Sequence, residues 1–373
     1  MKFRIERDVL TDAVSWAARA LPSRPTIPVL AALRLEADVD AGTVRVAGYD
    51  HTIFGEVSFP ADVAAPGVAL VSGRLLADIT RSLPARAIEV VAEAGRVSLT
   101  CGSSRFTLQS LPVEDYPALP EIPPTVGTIA GADLAEAVAQ VAVASGKDDM
   151  LPVLTGVRVE IDGQSLTLAA TDRYRLAVRH LQWDPRSPDV SVVALVPARA
   201  LADTAKTFGS DDVEIGLGES GLVGLSTPDR RSTTVLLDGE FPKYKTLFPS
   251  ESATVARVDT GALVEAVKRV ALVTDRHSPV RLTFDTDEVR LEAASGEDAA
   301  AVESVPSQLS GDGLTIGFNP HYLLDGLGAL DAPVAVLSFT HPSKPVVLQG
   351  ASSIDEQSNA DYRYLLMPVR LAG

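Results

Sequence analysis

The sequence contains one unit three times over, and this repetition constrains the fold more than any other feature. The copies that align by eye are residues 29–57, 153–179 and 279–305. The alignment places Arg34, Arg158 and Arg281 at one position. In each copy apolar and polar residues alternate, the chain turns at Asp or Gly, and the alternation resumes. This pattern predicts an antiparallel hairpin with one buried face.

Two helical patterns accompany each copy. The upstream patterns are residues 8–14, 133–139 and 262–268, and the downstream patterns are residues 71–83, 196–208 and 318–330. Apolar residues at i, i+3 and i+4, such as Leu10, Ala13 and Val14, indicate one buried stripe along a helix. Ser72 and Asn319 are residue types that favour the N-cap position. We therefore expect two helices in each repeat.

The order of these markers predicts the domain organisation. The downstream helical patterns align Asp78, Asp203 and Asp325, and the first two repeats each close with a strand and a Pro-rich connector. Each unit has about 124 residues, a normal domain size. The alternative is coincidence among similar β-rich segments, which the matching order of markers argues against. We predict an α+β protein of three similar domains, each of antiparallel sheet with two helices, over residues 1–126, 127–252 and 253–373.

Composition and charge narrow the classes of function. The net charge is −16, whereas a tight DNA-binding protein is normally basic. This balance leaves room for a protein that touches DNA weakly on one surface and repels it elsewhere. The single cysteine, Cys101, excludes an intramolecular disulfide and a Cys-based zinc site. The N-terminal sequence lacks the pattern of a signal peptide, and no apolar run is long enough for a membrane span. We expect a cytoplasmic protein that needs no cofactor or metal. Because the sequence contains no recognisable catalytic motif, we expect no catalytic residue.

Four stretches resemble the β sliding clamp family of bacterial DNA polymerase III, and the resemblance covers the whole chain. They are ATDRYRLAV (170–178), DGEFPKYKTLFP (238–249), FNPHYLLDGL (318–327) and YRYLLMPVRLAG (362–373). VSGRLL (71–76) and RPTIPVL (24–30) are similar to actinobacterial members. The resemblance implies a non-enzymatic processivity factor with the DNA clamp fold. Two chains would join head to tail into a ring around duplex DNA, helices inside and sheets outside, opened by an ATP-driven loader.

The resemblance also implies a subunit interface. Strand 103–109 of one chain would meet residues 272–277 of the next, with Phe106 and Leu108 facing Leu272 and Val273. The alternative is that Phe106 and Leu108 are ordinary core residues of the first domain.

Cations on the predicted helices and loops are candidates for contact with DNA phosphates, which positions a protein without reading sequence. The candidate DNA-facing residues are Arg24, Arg74, Arg81, Lys147, Arg199, Lys206 and Lys268. Arg74 and Arg81 are seven residues apart and share a helix face, and Arg199 and Lys206 repeat this spacing. The alternative is that these residues lie on solvated helix faces.

A pocket for partner proteins is the most specific implication of the resemblance. DNA polymerase III α subunit, the clamp loader and repair polymerases would insert a short apolar motif of the Gln-Leu-x-Leu-Phe type between domains 2 and 3. Thr171 and Arg175 would flank its entrance. The residues carried over are Leu154, Thr171, Arg173, Tyr174, Arg175, Leu176, Pro242, Leu247, Ser343, Pro345, Leu365, Leu366, Met367, Pro368, Val369, Arg370 and Leu371. The alternative is a strand end and a buried terminal strand.

Two other functions stay open at this point. One is a specialised second clamp copy with an altered pocket for partners or an inhibitor. The other is an interaction scaffold built from repeats that never encircles DNA.

Overall fold

The computed structural model describes residues 1–218, 220–275, 278–295 and 299–371. The chain forms two compact units. Unit 1 comprises Met1–Ala135, Asp184–Ser187 and Asp203–Leu236, and unit 2 comprises Glu136–Trp183, Pro188–Ala202 and Leu237–Gly373. Residues of the second predicted domain therefore fall in both units.

The helices confirm the six predicted segments, two for each repeat. They are α1 (Arg7–Ala17), α2 (Gly73–Ser82), α3 (Gly131–Ala142), α4 (Ala198–Ala205), α5 (Thr260–Val270) and α6 (Pro320–Gly328). Asn319 caps α6 as expected, since its side-chain oxygen accepts hydrogen bonds from the backbone N–H groups of His321 and Tyr322. Ser72 lies at the N-cap of α2, but its side chain makes no capping hydrogen bond.

Unit 1 contains two antiparallel sheets. The five-stranded sheet has the order β5 (Asp62–Ala65), β1 (Lys2–Glu6), β7 (Ala87–Glu93), β8 (Arg96–Cys101) and β9 (Ser104–Gln109). The nine-stranded sheet has the order β14 (Asp184–Pro185), β10 (Thr125–Ala130), β16 (Asp212–Leu217), β17 (Leu222–Ser226), β18 (Arg230–Val235), β4 (Ile53–Pro60), β3 (Thr43–Tyr49), β2 (Ala32–Asp38) and β6 (Gly67–Ser72).

The alternating pattern of the first hairpin places one face of the sheet in the core of unit 1. Leu33 and Leu35 on β2 and Val44 and Val46 on β3 are buried. The intervening residues Arg34 and Glu36 form an ion pair on the other face. Burial of one face of a sheet is the main source of its stability, because it removes apolar surface from water.

The first two repeats share the nine-stranded sheet through the pairing of β18 with β4. This pairing places Arg231 opposite Glu56, and a guanidinium nitrogen of Arg231 lies 2.5 Å from the Glu56 carboxylate. Ser232, Thr233 and Thr234 of β18 are buried by the same contact. The last strand of one repeat thus completes the sheet of the repeat before it.

Unit 2 is built on one twelve-stranded antiparallel sheet. Its order is β15 (Ser191–Pro197), β11 (Gly156–Asp162), β12 (Ser165–Thr171), β13 (Arg175–Gln182), β26 (Tyr362–Leu366), β25 (Val346–Ala351), β24 (Val334–Phe339), β19 (Thr254–Asp259), β22 (Ala299–Ser310), β21 (Glu288–Ser295), β20 (Val280–Phe284) and β23 (Leu314–Phe318). Here β26 pairs with β13, so that the second and third repeats are joined as the first and second are.

Helix α6 of unit 2 packs closely on this sheet at Gly326. A Cβ atom at Gly326 would lie 2.5 Å from the ring of Tyr364, which is fully buried on β26. The hydroxyl of Tyr364 donates a hydrogen bond to the carbonyl of Tyr322, 2.8 Å away, on the same helix. Glycine is therefore needed at this position for the helix to approach the sheet.

Replacing Gly326 with Ala tests this packing. We expect Gly326→Ala to destabilise the protein by about 1 to 3 kcal/mol, because the added methyl group forces the helix away from the buried ring. Gly328→Ala is the matched control in the same helix, since a Cβ there meets no atom within 4 Å. The control should be neutral or stabilising by up to about 1 kcal/mol. Denaturant unfolding measures both, and equal effects of the two variants would contradict the close approach.

Candidate functional site

A tight turn between β12 and β13 presents the first residues of the candidate pocket. One side-chain oxygen of Asp172 accepts hydrogen bonds from the backbone N–H groups of Tyr174 and Arg175, each 3.0 Å long. Arg173 has φ of 78°, a left-handed conformation that is uncommon for a side chain of this size. The turn therefore holds Arg173 and Tyr174 out from the sheet, where both are exposed.

Arg175 is the electrostatic centre of the site. Its side chain is only 4% exposed, and its guanidinium contacts Asp172 at 3.0 Å and Asp325 of α6 at 2.5 Å. It also lies over the ring of Tyr322, 4.4 Å from the ring centre. Burial disfavours the charge of Arg175, but Tyr364, Asp325 and Asp172 outweigh this effect and raise the pKa of Arg175. A planar guanidinium can satisfy two carboxylates and stack on a ring at once.

A cavity of about 570 Å³ opens beside Arg175, a size that suits a short peptide segment. Tyr174 and Tyr322 stack at its wall, with ring centres 6.1 Å apart and planes 23° apart. The residues that line the cavity are Ser145, Gly146, Lys147, Asp148, Leu151, Leu154, Asp172, Arg173, Tyr174, Arg175 and Tyr322. Apolar side chains and a few fixed polar groups are the usual composition of a site that anchors apolar side chains of a partner.

The C-terminal segment runs beside this turn. The backbone N–H of Met367 donates a hydrogen bond to the carbonyl of Tyr174, 2.9 Å away, and the N–H of Val369 donates to that of Gly317, 2.8 Å away. Leu365 and Leu366 are buried strand residues, whereas Met367 is 39% exposed. Among the apolar side chains of β26 and the segment that follows it, Met367 is therefore the most exposed, and it lies next to Tyr174 of the cavity wall.

The structure brings together part of the predicted pocket. Of the carried-over residues, Leu154, Arg173, Tyr174 and Arg175 line the cavity. Thr171 and Arg175 are buried instead of flanking an entrance, and the Thr171 hydroxyl donates a hydrogen bond to the carbonyl of Arg175, 2.7 Å away. Leu176 and Leu365 belong to a core cluster with Phe241 and Tyr244. Within the described part of the chain, the cavity lining does not include Pro242, Leu247, Ser343, Pro345 or any of residues 365–371, so the part of these residues in a pocket stays a prediction.

Seven lining residues were not predicted for this pocket: Ser145, Gly146, Lys147, Asp148, Leu151, Asp172 and Tyr322. Leu151 and Tyr322 were missed, although Tyr322 lies within the quoted stretch 318–327. The sequence signal that could have identified Tyr322 was an aromatic residue in the first turn of a helix capped by Asn319. Lys147 was predicted to face DNA, and the structure places it on the cavity wall.

The other predicted DNA-facing cations are all exposed, and most have local partners. Arg81 pairs with Asp78 at 3.4 Å, Lys206 with Asp203 at 2.5 Å, and Lys268 with Glu265 at 2.8 Å. The guanidinium of Arg74 donates to the carbonyls of Pro22 and Ser23, next to Arg24 in the loop after α1. Arg199 lies in the first turn of α4.

The predicted interface strand is β9, and it forms an edge of the five-stranded sheet. Phe106 is 37% exposed, but Leu108 is only 5% exposed because it is already buried within its own unit. Leu272 is 82% exposed in a 3-10 turn, Ala271–Val273, in unit 2. Residues 276 and 277 of the predicted contact segment lie outside the described residues. Val302 on β22 is a further exposed apolar residue that the sequence did not single out.

Neither a metal site nor a membrane span is found where the structure describes the chain. No group of three or more His, Cys, Asp or Glu side chains is arranged to hold a metal ion among residues 1–218, 220–275, 278–295 and 299–371. In the same residues no helix is long and apolar enough to cross a membrane.

Comparison with known proteins gives consistent matches over the whole chain. Models of the N-terminal, central and C-terminal domains of DNA polymerase III beta subunit match residues 1–120, 128–243 and 245–370. The chain is 55% identical to the beta sliding clamp of Streptomyces coelicolor, over 100% of both chains. It is 42% identical to the beta sliding clamp homolog GriR of Streptomyces muensis, over 99% of both. A crystal structure of a Pseudomonas aeruginosa sliding clamp bound to griselimycin superposes with a TM-score of 0.92 at 29% identity, covering 100% of both chains.

Arg175 offers a test of how the site is held. We expect Arg175→Lys to weaken binding of a Gln-Leu-x-Leu-Phe peptide by about tenfold, or 1.4 kcal/mol. A lysine keeps the charge but cannot bind both carboxylates and stack on Tyr322 together. Arg173→Lys, the same change at the exposed neighbour, is the control and should have a much smaller effect. Isothermal titration of both variants decides the point, and equal affinities would show that Arg175 does not position the site.

Proposed function

The chain belongs to the DNA polymerase III beta subunit family, the bacterial beta sliding clamps, and on this basis we propose that two copies of it close around duplex DNA and tether a polymerase to its template. It is a DNA sliding clamp, a processivity factor and not an enzyme. The division into three clamp domains at about residues 126 and 252 is part of the proposal. The observation that best supports a closed ring is the pattern of paired and unpaired strand edges.

The final strand of a repeat pairs with the third hairpin strand of the repeat before it. β18 pairs in this way with β4 in unit 1, and β26 pairs with β13 in unit 2. β9, the equivalent strand of the first repeat, has only β8 as a partner in the described chain. On β22, the equivalent of β4 and β13, residues 299–306 pair with β21 on one side only. Unpaired strand edges are templates for another chain.

The two free edges support a head-to-tail dimer, in which β9 of one copy pairs with β22 of the next. Phe106 is exposed on β9, and Leu272 and Val302 are exposed on the opposite side of the proposed contact. The turn that carries Leu272 and Val273 packs against β22. Such a contact is heterologous, and two copies with three repeats each close it into a ring.

DNA would pass through this ring with weak, sequence-independent contacts. Arg24, Arg74, Arg81, Arg199, Lys206 and Lys268 are exposed on helices or on the loop after α1, and they are available for phosphate contact. The net charge of −16 keeps the rest of the surface repulsive to DNA. The linkage to DNA is then topological, and the electrostatic contact only centres the duplex.

Partner proteins would bind at the cavity beside Arg175 through a short apolar motif. DNA polymerase III α subunit, the clamp loader and repair polymerases are the partners we propose, and the cytoplasm is the compartment. The stacked Tyr174 and Tyr322 and the side chain of Leu154 offer the apolar surface of the cavity for such a motif. The exposed Met367, whose backbone N–H is bonded to the carbonyl of Tyr174, adds apolar surface beside it. Aromatic residues in a partly closed pocket are frequent hot spots of binding.

A specialised clamp copy is less well supported than the general clamp. The identity to the Streptomyces coelicolor beta sliding clamp is 55%, against 42% to the homolog GriR. A scaffold that never encircles DNA is disfavoured because all three clamp domain models match in order along the chain.

Ring closure is tested by charging both sides of the proposed contact. We expect Phe106→Asp combined with Leu272→Asp to give a folded monomer, because an unpartnered charge buried at an apolar contact costs roughly 2 kcal/mol or more. Leu108 is left unchanged, since it is buried within the chain and its replacement would disturb the fold. Light scattering measures the mass, and circular dichroism checks the fold.

Retention on circular DNA links this assembly to function. The parent protein, loaded onto a closed circular plasmid, should stay bound through gel filtration and slide off after linearisation, while the double variant should not be retained. Val39→Asp, at an exposed apolar residue in a turn of unit 1, is the control and should behave as the parent does. A dimeric double variant would remove the interface from β9, and retention that survives linearisation would contradict encirclement.

Met367 tests the pocket itself. We expect Met367→Asp to weaken binding of a Gln-Leu-x-Leu-Phe peptide by about 2 kcal/mol or more, because a charge replaces exposed apolar surface next to Tyr174 of the cavity wall. Val193→Asp adds the same charge at an exposed apolar residue of β15 and should leave the affinity unchanged. Isothermal titration should give one site per chain, and unchanged affinity for Met367→Asp would place the pocket elsewhere.

A further inference from the structure

Three cations proposed to face DNA share a local arrangement. Arg81, Lys206 and Lys268 each lie at or next to the C-terminal end of a helix. Each forms an ion pair with a carboxylate three residues earlier, on Asp78, Asp203 and Glu265 respectively. All six side chains are about half exposed or more. Among the described residues, each repeat contains an example of this arrangement.

The carboxylates do not arise from a single inherited position. Asp78, Asp203 and Asp325 occupy one position in the repeat, but Asp325 is engaged by the buried Arg175. In the third repeat the pair is formed on α5 instead, by Glu265 and Lys268. The hydrogen bond from Lys268, followed by the charge of Lys268, lowers the pKa of Glu265. The charge pair therefore recurs although its place in the repeat differs.

The helix dipole does not account for all three carboxylates. The C-terminal end of a helix carries partial negative charge and favours a cation over an anion. Asp203 lies in the last turn of α4, Ala198–Ala205, where a carboxylate is unfavourable for the helix. Its partner Lys206 would be favourable there alone. The helix dipole thus disfavours Asp203, whose carboxylate pairs with Lys206, one of the cations proposed to face DNA.

We propose that Asp78, Asp203 and Glu265 compete with DNA phosphates for Arg81, Lys206 and Lys268 and so keep the grip of the clamp on DNA weak. The inference rests on the proposed function, in which these helices face DNA. An exposed ion pair is worth little and exchanges readily, so a phosphate can displace the carboxylate, but the carboxylate then repels it. Each cation thus centres the duplex without holding it, which suits a protein that must move along DNA.

Neutralising the three carboxylates tests the proposal. We expect Asp78→Asn with Asp203→Asn and Glu265→Gln to bind a fluorescent linear duplex of mixed sequence more tightly at low salt than the parent protein does. Each freed cation that takes a phosphate adds about 0.9 to the slope of log affinity against log salt, so the slope should steepen by up to about 2.7 per chain. On linearised plasmid the loaded variant should slide off more slowly.

A control with the same change in net charge separates local pairing from total charge. Glu89, Glu214 and Glu292 form partly exposed ion pairs on strands β7, β16 and β21, so the control is Glu89→Gln with Glu214→Gln and Glu292→Gln. The control should keep the parent's affinity and salt slope. An equal gain in the control, or no gain in the test variant, overturns the proposal.

Neutralising the cations distinguishes the inference from its premise. Arg81→Gln with Lys206→Gln and Lys268→Gln should weaken duplex binding and flatten the salt slope. If this variant binds as the parent does, these helices do not face DNA, and both the DNA-facing assignment and the inference fail. If it binds more weakly while the carboxylate variant is unchanged, the assignment stands and only the inference is overturned. Circular dichroism confirms that each variant is folded.

Discussion

Antiparallel pairing between consecutive repeats is the constraint on which the rest of this structure depends. In unit 1 the buried Glu56 on β4 faces Arg231 on β18, and three hydroxyl side chains of β18 are buried with it. A lone buried carboxylate would be costly, so the pair is satisfied only when the two strands come together in this register. In unit 2 the pairing of β13 with β26 brings the turn at Asp172 next to the C-terminal segment. Repeats that share sheets in this way are not structurally independent of one another.

The pocket depends on the pairing of β13 with β26 and on Asp325, whose partner differs from those of Asp78 and Asp203. Asp325 aligns with Asp78 and Asp203, but it binds Arg175 instead of a cation on its own helix. This contact ties α6, with Tyr322, to the start of β13, with Tyr174. Gly326 permits the helix to approach Tyr364 closely enough for the contact to form. A binding surface has therefore been made where a helix of one repeat meets a strand of another.

The hydrophobic periodicity of the sequence predicted the individual helices and hairpins but little of the pairing between strands that are distant in sequence. All six helices, the three hairpins and the edge position of the strand containing Phe106 follow from periodicity or from the resemblance. The burial of Arg175 depends on Asp325, 150 residues away, and no local pattern reports such a partner. Leu108 and Phe106 look alike in an alternating strand, yet only Phe106 is exposed, because their neighbours differ. Lys147 was predicted to face DNA from the resemblance, and the sequence did not indicate that the backbone around Gly146 and Leu154 also places it on the cavity wall.

The shared sheets also have a consequence for how the chain emerges from the ribosome. Glu56 meets Arg231 across a sequence separation of 175 residues. At translation rates of about 5 to 20 residues per second, the edge of β4 waits roughly 10 to 35 seconds for the strand that covers it. During that interval the nascent protein exposes a strand edge next to a carboxylate whose partner Arg231 has not yet been synthesised. The charge of Glu56, which is neutralised once β18 arrives, would disfavour premature pairing with neighbouring nascent chains on the same message.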